Sequence, residues 1–221
     1  VIIFQNHSDE KLFLKFSRFS NKTKLIPSSG IEIDNFKKRI NKPNNLAKKK
    51  VIFVSRLLYD KGIFDYMNLV NKVNKEKVEF YLAGERDDGN PQNISDSDME
   101  RILNEENLNY MGNIDVETEL SKFDISIIMS SHEGFSRILL ESLYVGLYCL
   151  AYKIQGTEVM NGFENLELIE LNRIDKFVEF IENFSEIDDN SKNIQKTEKL
   201  YASQVIASQF ESIYKELGVQ D

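Results

Sequence analysis

Short β-rich runs alternate with longer amphipathic stretches along this chain, and this alternation limits its fold more than any other feature. Two of the runs, Val51–Ser55 and Ile125–Ser130, are almost wholly apolar, as central strands of a parallel sheet are when both of their faces are buried. Between them, Gly62–Asn74 repeats its apolar residues at helical spacing. The pattern predicts an α/β fold with a doubly wound, mostly parallel sheet that has helices on both faces.

The periodicity of the apolar residues also predicts where the elements lie. Strong strand signals lie at Val51–Ser55, Val78–Ala83, Ile125–Ser130 and Leu147–Tyr152, and weaker ones at Lys24–Pro27, Asn109–Gly112 and Leu166–Glu170. Helices are predicted at Gly62–Asn74, Asp96–Asn104, Val116–Phe123, Arg137–Gly146, Arg173–Asn183 and Ser203–Leu217. The run Lys24–Pro27 is interpreted as the first strand of the domain.

This pattern divides the chain into three parts. Residues 21–186 carry the alternating elements and are predicted to form the sheet domain. Residues 187–221 contain two helical stretches without a strand between them, so we expect them to pack on that domain. Residues 1–20 contain a strand-like run and a helical pattern from Glu10 to Phe19. They are interpreted as either the tail of a preceding domain or an extra unit at the sheet edge.

The composition excludes several classes of function. Apolar residues make up 41% of the chain and charged residues 29%, as in soluble globular proteins, and no run approaches the roughly 18 apolar residues of a membrane span. The formal net charge of −8 argues against nucleic acid as a partner. The single cysteine, Cys149, excludes an intramolecular disulfide, fits a reducing compartment and is interpreted as a core residue.

The segment Phe36–Lys50 is a local exception to the acidic composition, because its seven charged residues are all basic. Its interpretation stays open between two alternatives. It is either a solvated loop around Pro43 or a patch that meets anionic lipid headgroups or a phosphorylated substrate.

Ligands bind an open parallel sheet at the carboxyl ends of its strands, so the loops after those strands are the places to look for function. The first loop, Ser55–Gly62, begins with Arg56 and carries Lys61 near its end. Two cations there suit a diphosphate, whose charge must be stabilised both in binding and in departure. The alternative is that these cations pair with Asp60 or Glu85.

The second loop follows Ile125–Ser130 and leads into a predicted helix. Gly134 is expected to permit a tight turn, which leaves the backbone N–H groups of Phe135, Ser136 and Arg137 free at the helix N-terminus. Such a terminus binds anions through its unpaired donors and its partial positive charge. The sequence therefore predicts an anion site here.

Two glutamates flank the predicted anion site. Glu133 precedes the helix, where its carboxylate would accept hydrogen bonds from hydroxyls, and Glu141 lies roughly 7–9 Å further along the helix axis. This layout matches a sugar, a diphosphate and a ribose. The alternative for Glu133 is an acid that only complements the helix dipole. Glu141 lies on an otherwise apolar helix and should need a partner.

The third loop follows Asn109–Gly112. Its backbone at Ile114 would lie against the edge of a base, and Asp115 would cap the next helix. Nothing in the local chemistry requires a base there, so this interpretation depends on the other two loops.

Five segments from Lys24 to about Glu170 occur in an order that resembles the C-terminal domain of family-four, or group 1, glycosyltransferases of the GT-B architecture. The segments are LIPSSGIEIDNF, FVSRLLYDKG, FYLAGE, NYMGNI and SSHEGFSRILLESLYVGLYCLAY. The separation of Glu133 and Glu141 equals that of the family's characteristic pair of glutamates. The resemblance implies a Rossmann-like domain that forms the C-terminal half of a GT-B enzyme.

The resemblance also implies a role for each matching position. The implied catalytic positions are Arg56 and Lys61, which would hold the donor diphosphate and stabilise the departing phosphate, and Glu133, which would bind hydroxyls of the donor sugar. The implied donor-binding positions are Gly84 for close approach of the ligand, Ile114 for the base, Glu141 for the ribose, and Gly134, Phe135, Ser136, Arg137 and Ile138 for the diphosphate and sugar.

By the same resemblance, the reaction would transfer a hexose with retention at the anomeric carbon to a glycan or lipid-linked acceptor. The donor is expected to be UDP-linked, with GDP- and ADP-sugars as alternatives, and no metal or other cofactor is expected. Residues 1–20 would be the tail of, or a linker from, a missing N-terminal acceptor domain. The alternative is a nucleotide-sugar-binding module that is inactive by itself. The expected setting is bacterial polysaccharide assembly in the cytoplasm or at the inner face of the membrane.

Three positions depart from the family pattern. Tyr148 replaces a usual proline, Ser136 takes the place of a usual small residue after Phe135, and Arg137 stands where an apolar residue is common. The first bears on packing more than on chemistry. Arg137 would either face solvent or reach a charged donor or acceptor.

Several other features are not interpreted as sites. The Asp96-Ser97-Asp98 run imitates the metal-binding acids of the other major glycosyltransferase fold, but it opens a helix, so an N-cap at Ser95 or Asp96 is expected. His132 and His7 are interpreted as packing or surface residues. A Rossmann-type dehydrogenase is excluded because no G-x-G-x-x-G follows an early strand.

Overall fold

The computed structural model describes residues 1–16, 22–39, 48–184 and 189–218. Within these ranges the strands are β1 (Ile2–Phe4), β2 (Thr23–Leu25), β3 (Lys49–Val54), β4 (Val78–Ala83), β5 (Leu108–Gly112), β6 (Ile125–Ile128), β7 (Tyr148–Tyr152) and β8 (Leu166–Ile169). The helices are α1 (His7–Phe16), α2 (Ile63–Lys72), α3 (Asp96–Leu103), α4 (Val116–Glu119), α5 (Arg137–Val145), α6 (Gln155–Glu158), α7 (Ile174–Glu182), α8 (Ser191–Tyr201) and α9 (Ser203–Glu216).

Six strands form one parallel sheet in the order β5-β4-β3-β6-β7-β8. Alternate residues of a strand face opposite sides of a sheet, and the central strand β3 shows this with Phe53 on one side and Ile52 on the other. Phe53 packs in an apolar cluster with residues of α2, α3 and α7, whereas Ile52 packs in a second cluster with residues of α5. The doubly wound α/β prediction is confirmed.

The predicted elements of this sheet lie within a few residues of the observed ones. Val78–Ala83 agrees at both ends, whereas the helix predicted at Val116–Phe123 is α4 followed by a 3-10 turn at Leu120–Lys122. The short helix α6 was not predicted, because four residues give too little periodicity to detect. The helix predicted at Glu10–Phe19 is α1, and residues 17–19 lie outside the described residues.

The interpretation of Lys24–Pro27 as the first strand of the domain's sheet was wrong. Strand β2 pairs in parallel with β1 in a separate two-stranded sheet, and α1 connects the two strands. The apolar side chain of Ile26, just after β2, packs with Ile206 and Ile213 of α9. Burial against α9 therefore places this strand in a second, smaller unit.

The two C-terminal helices pack on different units. Helix α8 packs on α5, and its last residue, Tyr201, joins the second apolar cluster of the large sheet, whereas α9 packs on the small sheet. The chain passes from the small unit to the large one near Ile31 and returns to the small unit near Ala202, and these two crossings lie side by side. Ile31 forms an isolated parallel bridge with Ala202, with N–H···O distances of 3.0 Å from Ile31 to Tyr201 and 3.0 Å from Ser203 to Ile31.

The basic run extends beyond the described residues, because 40–47 lie outside them. At its start, Arg39 pairs with Asp124 at 2.5 Å, and Lys38 with Glu198 at 3.7 Å. The interpretation of the run as a lipid- or phosphate-binding patch stays a prediction. None of the helices in the described ranges is long and apolar enough to cross a membrane. Cys149 is fully buried in β7, and this burial raises the pKa of its thiol, as expected for a core residue.

Candidate functional site

A cleft of about 550 Å³ lies at the carboxyl ends of the central strands. Its volume is in the range of ligand sites. The chain leaves the adjacent strands β3 and β6 in opposite directions, toward β4 and toward β7, and such a switch point is where open α/β sheets bind ligands. The predicted site residues that line it are Arg56, Lys61, Gly84, Glu133, Phe135, Ser136, Arg137, Ile138 and Glu141.

Arg56 stands at the outer edge of the cleft, with 61% of its side chain exposed. Its guanidinium lies 2.5 Å from Asp87, which is neither of the acids that the sequence suggested as partners. A hydrogen bond from Asn90, followed by that from Arg56, holds the pKa of Asp87 below its usual value. The loop that carries Asp87 is fixed to the end of β3, because Leu57 donates to the Glu85 carbonyl at 2.8 Å.

Lys61 lies deeper and pairs with the second predicted acid. Its Nζ is 2.8 Å from Oε1 of Glu133, and the two side chains are only 14% and 20% exposed. Ser130 donates a further hydrogen bond to the same carboxylate oxygen at 2.9 Å. Glu133 therefore does more than complement a helix dipole: it holds a partly buried cation inside the cleft.

Gly134 does not act in the turn as the sequence predicted. Its φ is outside the left-handed region, so the turn does not require the conformational freedom of glycine. A Cβ at this position would lie 3.1 Å from Oε1 of Gln5, which is the end of an exposed side chain that can shift to admit it. The Gly134 carbonyl also accepts a hydrogen bond from Nδ2 of Asn6 at 2.9 Å. Sequence reasoning missed Asn6, because these two residues are 128 positions apart.

The N-terminus of α5 opens into the cleft. Of the three amides predicted to be free there, those of Phe135 and Arg137 are free within the described part of the chain. The amides of Phe135, Arg137 and Ile138 have no acceptor among the described residues. The prediction was wrong for Ser136, whose amide donates to the Gly156 carbonyl at 3.2 Å. The Ser136 hydroxyl is buried and has no partner among the described residues. This helix end therefore offers several unused donors, as anion sites do.

Glu141 has the partner that its burial requires. Its side chain is 8% exposed, and its Oε1 lies 2.6 Å from Nε of Arg137, one turn earlier on α5. Burial raises the pKa of Glu141, and the Arg137 guanidinium opposes that rise. Arg137 is half exposed and lines the cleft, so it lies beside the ligand space and is not merely a solvent-facing helix residue.

Ile114 and Gly134 are the predicted site residues that do not line the cleft. The side chain of Ile114 packs on the second apolar cluster, while its neighbours Asn113 and Val116 line the cleft. The proposed contact of its backbone with a base stays a prediction. Asp115 caps α4 by accepting from the Glu117 amide at 3.2 Å, as expected.

Gly84 has a φ of +132° at the end of β4, where residues with a Cβ are strained. A Cβ here would lie 1.7 Å from the carbonyl oxygen of Ser55, just after the neighbouring strand β3. The sequence resemblance implied that this glycine allows a ligand to approach. In the structure, the close backbone of Ser55 already requires glycine at this position, before any ligand is considered.

The features set aside from the sequence have structural roles. Ser95 caps α3 in a capping box with Asp98, and Asp98 also accepts from Tyr59 at 2.8 Å. His132 is exposed, and His7 lies 3.5 Å from Glu10 at the surface. Across the described ranges, no group of three or more His, Cys, Asp or Glu side chains is arranged to hold a metal ion.

Comparison with known proteins shows which family the sequence matches. The model of the family described as "Glycosyl transferases group 1" matches residues 34–200. No protein with curated function matches the sequence at a significant level.

Solved structures share the fold at low sequence identity. HepE from Anabaena, in complex with UDP and glucose, is 17% identical with a TM-score of 0.78 over 97% of this chain. Sucrose-phosphate synthase from Thermosynechococcus elongatus is 17% identical with a TM-score of 0.80 over 97%. The pneumococcal O-GlcNAc transferase GtfA, in complex with UDP and GlcNAc, is 17% identical with a TM-score of 0.75 over 99%.

The present chain spans 62%, 57% and 45% of these three proteins, in that order. They share its Rossmann-like sheet, as expected for one half of a GT-B enzyme. Since the family model covers most of the sequence, this chain belongs to the group 1 glycosyltransferases.

Proposed function

We propose that this chain is the donor-binding half of a retaining glycosyltransferase, and that its cleft binds a UDP-sugar. The observation that carries the proposal is the α5 N-terminus, which opens into the cleft between Glu133 on one side and Glu141 on the other. The amides and the Ser136 hydroxyl would bind the diphosphate between them. GDP- and ADP-sugars are the alternative donors, and no metal is expected.

The cations would contribute differently to diphosphate binding. The Arg56–Asp87 pair is largely exposed, and exposed pairs contribute only about 0–1 kcal/mol, so Arg56 can exchange Asp87 for a phosphate at low cost. Lys61 is more buried and holds Glu133. A phosphate that binds Lys61 would therefore meet a cation already held in place.

In the proposed reaction, the bond between the anomeric carbon and the diphosphate oxygen breaks, and the acceptor oxygen bonds to the same face of the sugar. The proton of the acceptor hydroxyl would pass to the departing phosphate oxygen. Negative charge then develops on the departing phosphate. Lys61, Arg56 and the free amides of α5 would stabilise it, and such preorganised donors contribute most where charge develops. Glu133 would hold sugar hydroxyls and keep the reacting carbon in place.

The acceptor would be a glycan or a lipid-linked molecule held by a second, N-terminal domain. Helix α1 supports such a partner, because Leu12 is 56% and Phe16 is 86% exposed on its surface, and large apolar side chains exposed together mark interaction sites. The alternative is a donor-binding module without activity by itself. The proposed setting is bacterial polysaccharide assembly, in the cytoplasm or at the membrane's inner face.

UDP should raise the melting temperature of this chain. A ligand at 100 times its Kd adds about 2.7 kcal/mol to the free energy of unfolding, which corresponds to roughly 5–10 °C for a chain of this size. Differential scanning fluorimetry with UDP, GDP and ADP measures the shift and the preferred base. If no nucleotide in this panel shifts the melting temperature, the donor-site assignment is wrong.

Arg56→Ala and Glu141→Ala should each reduce the UDP-induced shift. The first removes a cation that would face the diphosphate, and the second removes the carboxylate that would bind the ribose. Glu141→Ala should reduce the shift induced by 2′-deoxy-UDP less than the shift induced by UDP, because the deoxy nucleotide already lacks one ribose hydroxyl. The matched control is Arg173→Ala, since Arg173 also forms an exposed pair, with Asp175 at 2.6 Å, and does not line the cleft. A shift reduced equally by all three variants would contradict the assigned roles.

A further inference from the structure

Asn6 lies between β1 and α1 and is 3% exposed. Its Oδ1 accepts from the Asp9 amide at 2.8 Å, which caps α1. Its Nδ2 donates to the Asp9 carboxylate at 2.8 Å and to the Gly134 carbonyl at 2.9 Å. One side chain therefore both caps a helix of the small unit and holds the turn beside the cleft.

The other contacts that hold this turn come from the large unit. The Ser131 amide donates to the Asp60 carbonyl at 2.9 Å, and the Ser136 amide to the Gly156 carbonyl at 3.2 Å. Gly156 also packs so closely that a Cβ there would lie 2.4 Å from the Glu133 carbonyl oxygen. At Gly134 itself, the described hydrogen bond comes from Asn6.

The peptide plane links this hydrogen bond to the cleft. The Gly134 carbonyl and the Phe135 N–H belong to one planar trans peptide, so they point in opposite directions. Holding the carbonyl toward Asn6 thus aims the Phe135 N–H away from it. That N–H has no acceptor among the described residues, and Phe135 lines the cleft.

We propose that Asn6 is a positioning residue for the donor site: by holding the Gly134 carbonyl, it orients the peptide between Glu133 and the α5 amides. This proposal rests on the proposed function, because it assumes that the Gly134–Phe135 peptide binds the donor. It makes the small unit a structural part of the donor site, although Asn6 lies outside the segment 34–200 that matches the family.

The chemistry of the side chain explains why asparagine is needed. Aspartate and serine cap helices about as well as asparagine, so the cap alone does not select it. Aspartate at neutral pH has no N–H to donate, and serine is too short to replace the amide group. These two substitutions therefore keep the cap and remove the hydrogen bonds that Nδ2 donates, to the Gly134 carbonyl and to the Asp9 carboxylate beside it.

The test compares Asn6→Ser and Asn6→Asp with the control Phe13→Ala. Phe13 packs on Phe4 with ring centroids 5.3 Å apart, so this control loosens α1 on β1 and leaves Asn6 in place. Two quantities are measured: the Kd of UDP by calorimetry, and the exchange rate of the Ser136 amide by NMR relative to amides of β3. The neutral serine variant separates loss of the hydrogen bond from charge repulsion of UDP.

We expect both Asn6 variants to weaken UDP binding about 5- to 10-fold and to speed Ser136 exchange, while Phe13→Ala changes the Kd less than twofold. Unchanged Kd and exchange in the Asn6 variants would overturn the proposal, as would an equal loss of affinity in Phe13→Ala. If the wild-type chain does not bind UDP, the donor assignment fails. Ser136 exchange then decides separately whether Asn6 holds the turn.

Discussion

Gly84→Ala should strongly destabilise the native fold. The new Cβ would lie 1.7 Å from the Ser55 carbonyl oxygen and 2.8 Å from its carbon, and these atoms belong to the backbone at the end of β3. The φ of +132° adds strain for any residue with a Cβ. We expect the free energy of unfolding to fall by at least about 4 kcal/mol. The total for a typical domain is about 5–15 kcal/mol.

The matched control for this change is Gly89→Ala. Gly89 also has a left-handed φ, of +88°, but a Cβ there would meet no atom within 4 Å. Gly89→Ala should lower the free energy of unfolding by only about 1–2 kcal/mol, which comes from the backbone conformation alone. Urea denaturation followed by circular dichroism measures both variants. Equal losses for Gly84→Ala and Gly89→Ala would show that the contact with Ser55 is not the cause.

The two members of the Lys61–Glu133 pair should affect UDP binding in opposite directions. Lys61→Met removes a cation from the cleft and leaves the Glu133 carboxylate near the diphosphate without its partner. A hydrogen bond to a charged group contributes about 1.5–3 kcal/mol, so we expect the Kd of UDP to rise roughly 10- to 100-fold. Glu133→Gln instead releases Lys61 from its carboxylate at 2.8 Å. UDP should then bind as tightly as before, or more tightly.

Calorimetry with UDP distinguishes these roles from a purely structural ion pair. If the pair only stabilises the loop, both variants should weaken UDP binding by similar factors. The double variant Lys61→Met/Glu133→Gln completes the cycle and measures the coupling between the two side chains. A Kd that rises equally in both single variants would contradict the assignment of Lys61 to the phosphate and Glu133 to the sugar.

The large sheet could be predicted from sequence because its strands are defined by local patterns. The runs Val51–Ser55 and Ile125–Ser130, which supply most of β3 and β6, are almost wholly apolar, as burial on both faces requires. The same kind of pattern misled at Lys24–Pro27. A short apolar run does not encode which sheet it joins, and here that depends on Ile206 and Ile213, far along the chain.

The candidate site was predictable to the extent that strand ends meet at one edge of a parallel sheet. This rule brought Arg56, Lys61 and Glu133 together. It could not give the partner of Arg56, because the position of Asp87 depends on the path of the loop after β4. It could not give the partner of Gly134 either, because Asn6 belongs to the small unit. The assigned roles of these residues in donor binding stay predictions.

The bridge between Ile31 and Ala202 has a consequence for the order in which the chain can complete its structure. The small unit consists of residues before this bridge and of α9 after it, and the whole large sheet lies between them in sequence. During synthesis, Ile26 therefore emerges well before its partners Ile206 and Ile213 on α9. At typical rates of 5–20 residues per second, this wait is on the order of 9 to 36 seconds. The large sheet can fold in that interval, and the small unit is completed after it.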